Sequence, residues 1–140
     1  MRMALVIDAS LAATWFLPDE QNDAADRIMA ELRVNPGRAP SLFWFETRNL
    51  FLMAERRGRL QPGEAATTMA QLRGFPILDE GTGSDQLILT LADRHRLSGY
   101  DASYLALALS QNLPLATLDK KLAAAAQAEK VLVLGPLGAL

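Results

Sequence analysis

The apolar positions of this chain fall into short unbroken runs, separated by longer stretches with helical spacing. Leu5-Val6-Ile7 is such a run, ending at Asp8, and an unbroken run is the pattern of a strand buried on both faces. Leu115-Ala116-Thr117 and Val131-Leu132-Val133 read the same way, and Phe75 to Leu78 supplies another strand. Between them lie helices with marked ends. Ser10 is expected to cap a short helix through Leu17, which Pro18 helps to stop. Asp19 or Asn22 starts a second helix reaching Leu32 or Arg33, and Asn35-Pro36-Gly37 is a turn by composition. A long helix is expected from about Leu42 to Arg57, closed by Gly58 as its C′ residue. Pro62 suits the first turn of the next helix, which runs to about Leu72. After a Gly81-Thr82-Gly83 loop, Ser84 caps a helix to about Leu97, and further helices cover roughly Asp101 to Gln111 and Lys120 to Glu129.

Strands alternating with helices predict an α/β fold, a three-layer sandwich whose central parallel sheet of four or so strands is flanked by helices. No linker, repeat or charge block divides the 140 residues, so residues 1–140 are expected to form one domain. Composition sharpens this only a little. With 50% hydrophobic residues the chain can fill a core and is not disordered. The absence of cysteine excludes disulfides and thiolate metal sites and suits a reducing compartment. Met1 to Asp8 is too short and too soon charged for a signal peptide, and Glu46 and Arg48 interrupt the most apolar helix. A cytoplasmic protein without a membrane span is expected. The net charge of -2 argues against a nucleic-acid binder driven by surplus Lys and Arg. A metal nuclease is the exception, because bound cations offset its carboxylates.

The candidate chemistry is acidic. Parallel α/β sheets place ligands beyond the carboxyl ends of their strands, where Asp8 follows the first strand and Asp119 the third. Asp101 opens a helix whose N-terminal amides favour negative charge. Glu46 shares a helical face with Leu42, Phe43 and Leu50, and Asp101 lies above Tyr104, Leu105 and Ala108. A carboxylate on an apolar face needs a cation or strong donors, and one metal would serve both. Taken singly, each acid has a plainer reading: Asp8 as a strand-end cap, Asp101 as an N-cap, Asp119 as a helix start, Glu46 as half of an ion pair. Taken together, in this order, they resemble something more specific.

The stretches "LVIDAS", "PSLFWFETRNLF", "GYDASYLALA" and "ATLDKKL" resemble the blocks of the PIN-domain family in order and local context. In size the chain is also similar to the VapC toxins of toxin–antitoxin pairs. The resemblance runs from about Leu5 to Val133, and Asp19 to Arg38 carries none of it. It implies that Asp8, Glu46, Asp101 and Asp119 form the family's acidic quartet, with Ser10 and Thr117 orienting carboxylates from behind. It implies an endoribonuclease leaving a 5′-phosphate and a 3′-hydroxyl, and a cognate antitoxin as partner.

Oxygen ligands without His or Cys select a hard cation, so Mg²⁺ or Mn²⁺ is expected rather than zinc. The single histidine, His95, excludes a two-histidine ribonuclease and is expected at the surface near a helix end. No G-x-S-x-G elbow and no Walker loop is present. Phosphodiester hydrolysis is the expected reaction, with the ion held chiefly by Asp8 and Asp101. Arg48, Arg56, Arg57 and Arg59, with Lys120-Lys121, are the basic residues near these acids, and Arg57 shares a helical stripe with Glu46. Trp15, Phe16, Phe43, Trp44 and Phe51 read as core or subunit interface rather than base-stacking platforms. Exposed apolar helices suggest a homodimer. DNA remains an alternative substrate, since nothing here reads a 2′-hydroxyl, and a non-catalytic protein-binding module is the other alternative.

Overall fold

A computed structural model describes residues 4–138. β1 (Leu5–Ile7) is fully buried and central in a five-stranded sheet. β2 (Gly37–Ala39), β3 (Ile77–Asp79), β4 (Leu115–Ala116) and β5 (Val133–Leu134) complete it in the order β3-β2-β1-β4-β5. Every pairing is parallel, with Leu5 opposite Gly37 and Ile7 opposite Ala116 flanking the central strand. The unbroken apolar run of β1 is explained by this position.

Among the described residues, seven α-helices flank the sheet: α1 (Ala9–Thr14), α2 (Asp23–Glu31), α3 (Leu42–Arg56), α4 (Glu64–Arg73), α5 (Asp85–His95), α6 (Gly99–Gln111) and α7 (Lys120–Ala128). The chain steps from β1 outward to β3, then returns across the sheet to β4 and β5. Right-handed crossovers therefore send α1 to α4 to one face and α5 to α7 to the other. Packing follows the same division, with α1 against α2 and α3, α3 against α4, and α6 against α5 and α7. The core includes Leu5, Ile7, Leu11, Phe43, Phe51, Tyr104 and Leu105, all within 1% of full burial.

The α/β expectation holds, and the sheet has one strand more than anticipated. Gly37–Ala39 pairs on both sides, where composition suggested a turn. Its glycine keeps the approach to α2 close: a Cβ there would stand 2.9 Å from Leu32 Cδ2, and the buried Leu32 side chain would have to shift. Asn22 and Ser84 cap α2 and α5 through their side chains as expected, and Gly58 follows α3 with φ 76°. Pro62 lies before α4 rather than in it, because Gly63 at φ 86° forms the turn into that helix. Phe16 and Phe75 pack on Trp15, and Phe43, Trp44 and Phe51 are buried, so these aromatics are core. No helix among the described residues is long and apolar enough to cross a membrane; Met1 to Met3 lie outside them.

Candidate active site

The sheet reverses its direction of growth between β1 and β4, and this is where an open parallel sheet leaves a crevice at its carboxyl edge. Asp8 leaves β1 there in extended conformation, only 5% exposed. Ser10 Oγ and Thr117 Oγ1 both donate to Asp8 Oδ2, at 2.7 and 2.6 Å. The two hydroxyls in turn accept from backbone amides beyond β4: Ser10 from Leu118 N at 3.1 Å, Thr117 from Asp119 N at 3.0 Å. One carboxylate oxygen thus ties the ends of both strands together. Ser10 lies within α1 and makes no cap, contrary to expectation, because its hydroxyl is committed to this network; Asp8 occupies the N-cap position.

The other three acids arrive from different elements. Asp119 caps α7, its Oδ1 accepting from Lys121 N and Leu122 N, so the helix-start reading is true of one oxygen. Asp101 is not the start of α6: Ser98 caps that helix, which begins at Gly99, and Asp101 sits in its first turn. Glu46 lies at the border of the buried Phe43, Thr47, Phe51 stripe of α3 rather than within it, half-buried. Tyr104, wholly buried on α6, donates from its hydroxyl to Glu46 Oε1 at 2.6 Å. This contact links α3 to α6, helices of opposite layers.

All four carboxylates line one open pocket of about 260 Å³, with Ser10 and Asn49 beside them. Burial raises the pKa of Asp8 against the lowering effect of its two hydroxyl donors, and the charge of Asp119 adds to the rise. Burial also raises Glu46, with Asp8 and Asp101 contributing and the Tyr104 hydrogen bond opposing. Asp101 is raised by burial, then by Asp119 and Asp8, while Ser98 and Lys121 pull it down. Asp8, Glu46 and Asp101 are thus each raised in part by the charge of at least one other acid of the pocket. Among the described residues, no three are gathered closely enough to hold an ion by themselves. The donor set nonetheless fits a hard cation such as Mg²⁺, which binds through one or two carboxylates and keeps several waters.

The basic residues are placed less favourably. Arg57 follows α3 about 16 Å along the helix from Glu46, exposed and outside the pocket. Arg59 is engaged by Asp19 and Glu20. Arg48 stands over the Phe45 ring, 5.1 Å from its centroid. Lys121 is the cation whose charge reaches Asp101. His95 ends α5 as expected, but it is largely covered and pairs with Glu129 at 2.6 Å rather than facing solvent. Sequence reading missed Tyr104 and Asn49 as site residues. The signals were present, a phenol one turn after Asp101 in an otherwise apolar run and an amide one turn after Glu46, yet each has an ordinary structural reading.

Comparison with known proteins bears on the family and the fold. The model of the PIN domain matches residues 5–128. Ribonuclease VapC3 of Pyrobaculum aerophilum is 32% identical over 124 residues, spanning 86% of this chain and 93% of that protein. The crystal structure of PAE2754 from Pyrobaculum aerophilum superposes with a TM-score of 0.67 at 27% identity, over 88% of this chain and 79% of that one. A toxin–antitoxin complex from Klebsiella pneumoniae shares the fold with a TM-score of 0.59 at 18% identity, over 84% of this chain and 88% of that one. The family match covers most of the chain and the 32%-identical relative spans 86% of it, so the chain belongs to the PIN domain family.

Proposed function

We propose that this protein is a VapC-type endoribonuclease toxin that hydrolyses RNA phosphodiester bonds with Mg²⁺ or Mn²⁺. The observation that carries the reading is the pocket itself: four carboxylates, from the end of β1, α3, α6 and the start of α7, line one space, and three of them, Asp8, Glu46 and Asp101, are raised in pKa by burial and by their acidic neighbours. Four such charges facing one space are costly without a cation to offset them. The name of the 32%-identical relative supports RNA as the substrate.

Asp8 and Asp101 would hold the ion, with Glu46 and Asp119 completing its surroundings. When bound, the ion supplies positive charge to the attacked phosphate and makes water more acidic. The protein's part is positioning. Ser10 and Thr117 fix the Asp8 carboxylate by binding one oxygen, Oδ2, which leaves Oδ1 for the pocket. Tyr104 fixes Glu46 in the same way. Asn49, exposed at the rim, offers an amide to the phosphate or sugar.

The same reading includes an antitoxin that neutralises the pocket with a basic side chain, since a guanidinium can satisfy carboxylates bidentately. The toxin–antitoxin complex of similar fold supports such a partner. It also includes pairing of two copies through exposed leucines such as Leu52 and Leu89, and action in the cytoplasm. The decisive experiment for the reaction incubates purified protein with RNA under Mg²⁺, Mn²⁺ or EDTA. Cleavage is expected with either ion and none with chelator. Full cleavage in EDTA, with metal removal verified, contradicts the metal-dependent mechanism.

A further inference from the structure

Five Phe, two Tyr and two Trp make up the aromatic complement of the chain, and all lie among the described residues. Only Phe45 and Tyr100 are exposed, at 63% and 67%. They come from different helical layers, yet both line one concavity of about 480 Å³. That concavity adjoins the acidic pocket, because Glu46 and Asn49 line both. Each exposed ring also immediately precedes a site carboxylate in sequence, Phe45 before Glu46 and Tyr100 before Asp101. Successive helical residues point about 100° apart, so a helix that aims its acid into the pocket carries the ring alongside it.

We propose that this concavity is a nucleobase subsite, in which Phe45 and Tyr100 stack a base of the RNA strand next to the phosphate being cut. The inference rests on the ribonuclease reading above and adds to it where specificity would be read. Single-stranded RNA is bound chiefly by stacking its splayed bases on aromatic rings, and every base offers a face for this. The volume suits a nucleotide. Its polar lining is matched to a base edge: the Asn49 amide can donate and accept, the Thr82 hydroxyl can do either, and the Ser41 hydroxyl, which donates to Asp79 Oδ1 at 2.7 Å, can still accept. An apolar side chain from a protein partner would offer nothing to the Asn49 amide or the Thr82 hydroxyl. The guanidinium of Arg48 covers one face of the Phe45 ring, leaving the other for a base and a positive charge at the rim for a neighbouring phosphate.

The test uses a random-sequence pool of short oligoribonucleotides, with cleavage sites read by sequencing, and steady-state kinetics on the preferred sequence. Phe45→Ala and Tyr100→Ala should each raise KM about tenfold while kcat holds, the signature of lost binding rather than lost chemistry. Both should flatten the nucleotide preference at one position beside the cut, and Tyr100→Phe should retain it. An abasic residue at that position should cost the wild type at least tenfold and cost the Phe45→Ala/Tyr100→Ala double variant nothing further. If wild type cleaves RNA and the alanine variants match it in KM and preference, the subsite is overturned and the ribonuclease reading stands. If those variants lose only their grip on a partner protein, the concavity docks protein and the subsite is again overturned. A wild type that cleaves no RNA with Mg²⁺ or Mn²⁺ defeats both.

Discussion

Thr117 has the least freedom of any residue around the acids. Its hydroxyl, with no exposure, donates to Asp8 Oδ2 and accepts from Asp119 N. Thr117→Val keeps the shape and removes both bonds, leaving the half-buried Asp119 amide without this acceptor and Asp8 with one hydroxyl donor. We expect a stability loss of about 1–3 kcal/mol, visible by chemical denaturation, together with a fall in activity. Thr117→Ser should restore activity, and equal activity in all three proteins would show the network to be idle. The raised pKa of Asp8 also makes a signed prediction. A carboxyl raised in the folded state adds stability that is present below its unfolded pKa and lost as pH rises through the folded value. Asp8→Asn removes that dependence, and its single carbonyl can still accept both hydroxyls. In chelator, the melting point of Asp8→Asn relative to wild type should therefore climb as pH rises from acid to neutral. A difference independent of pH would mean that Asp8 titrates normally.

At the level of elements, the hydrogen bond from Tyr104 to Glu46 makes the site depend on α3 and α6 together. Tyr104→Phe removes the hydroxyl that donates to Glu46 and should cost about 1.5–3 kcal/mol, the range for a hydrogen bond to a charged group. Glu46 would then rise further in pKa, because the lowering contribution is gone while burial remains. The acid limb of the pH–activity profile should accordingly move to higher pH, and an unmoved limb would reduce Tyr104 to a packing residue. The elements differ in how legible they were. Those with local signatures were read closely: α3 through its spacing and Gly58, α5 through Ser84, α7 through its alanines. β2 was hidden because Gly37-Arg38-Ala39 has no strand pattern of its own and is held by parallel neighbours distant in sequence. The start of α6 was misplaced because Ser98 caps it three residues ahead of Asp101. The four acids that line one pocket stood out in the sequence while Tyr104 did not: a carboxylate beside apolar residues is conspicuous, whereas a tyrosine in a core helix needs its partner on another helix to be noticed.

For the whole molecule, the strand order brings Asp8 and Asp119 to one edge, and the two helical layers bring Glu46 and Asp101 over it from either side. Such a fold holds like charges together and is expected to be destabilised by them until a cation arrives. Two unit charges about 4 Å apart repel by about 1 kcal/mol in water and about 4 at an effective dielectric of 20, so relieving part of the cluster should be measurable. The most direct test follows thermal unfolding of wild type and Asp8→Asn, each in EDTA and in saturating Mg²⁺, with RNA cleavage assayed on the same samples. In EDTA, Asp8→Asn should melt at or above wild type. In Mg²⁺, wild type should gain more than the variant, since ligand at 100 times its dissociation constant adds roughly 2.7 kcal/mol. Cleavage should be confined to wild type with Mg²⁺, and Asp101→Asn should repeat the pattern. Should Asp8→Asn instead be strongly destabilised in EDTA, with Mg²⁺ leaving the wild-type melting point unchanged, Asp8 would be a structural cap and the acidic pocket no metal site.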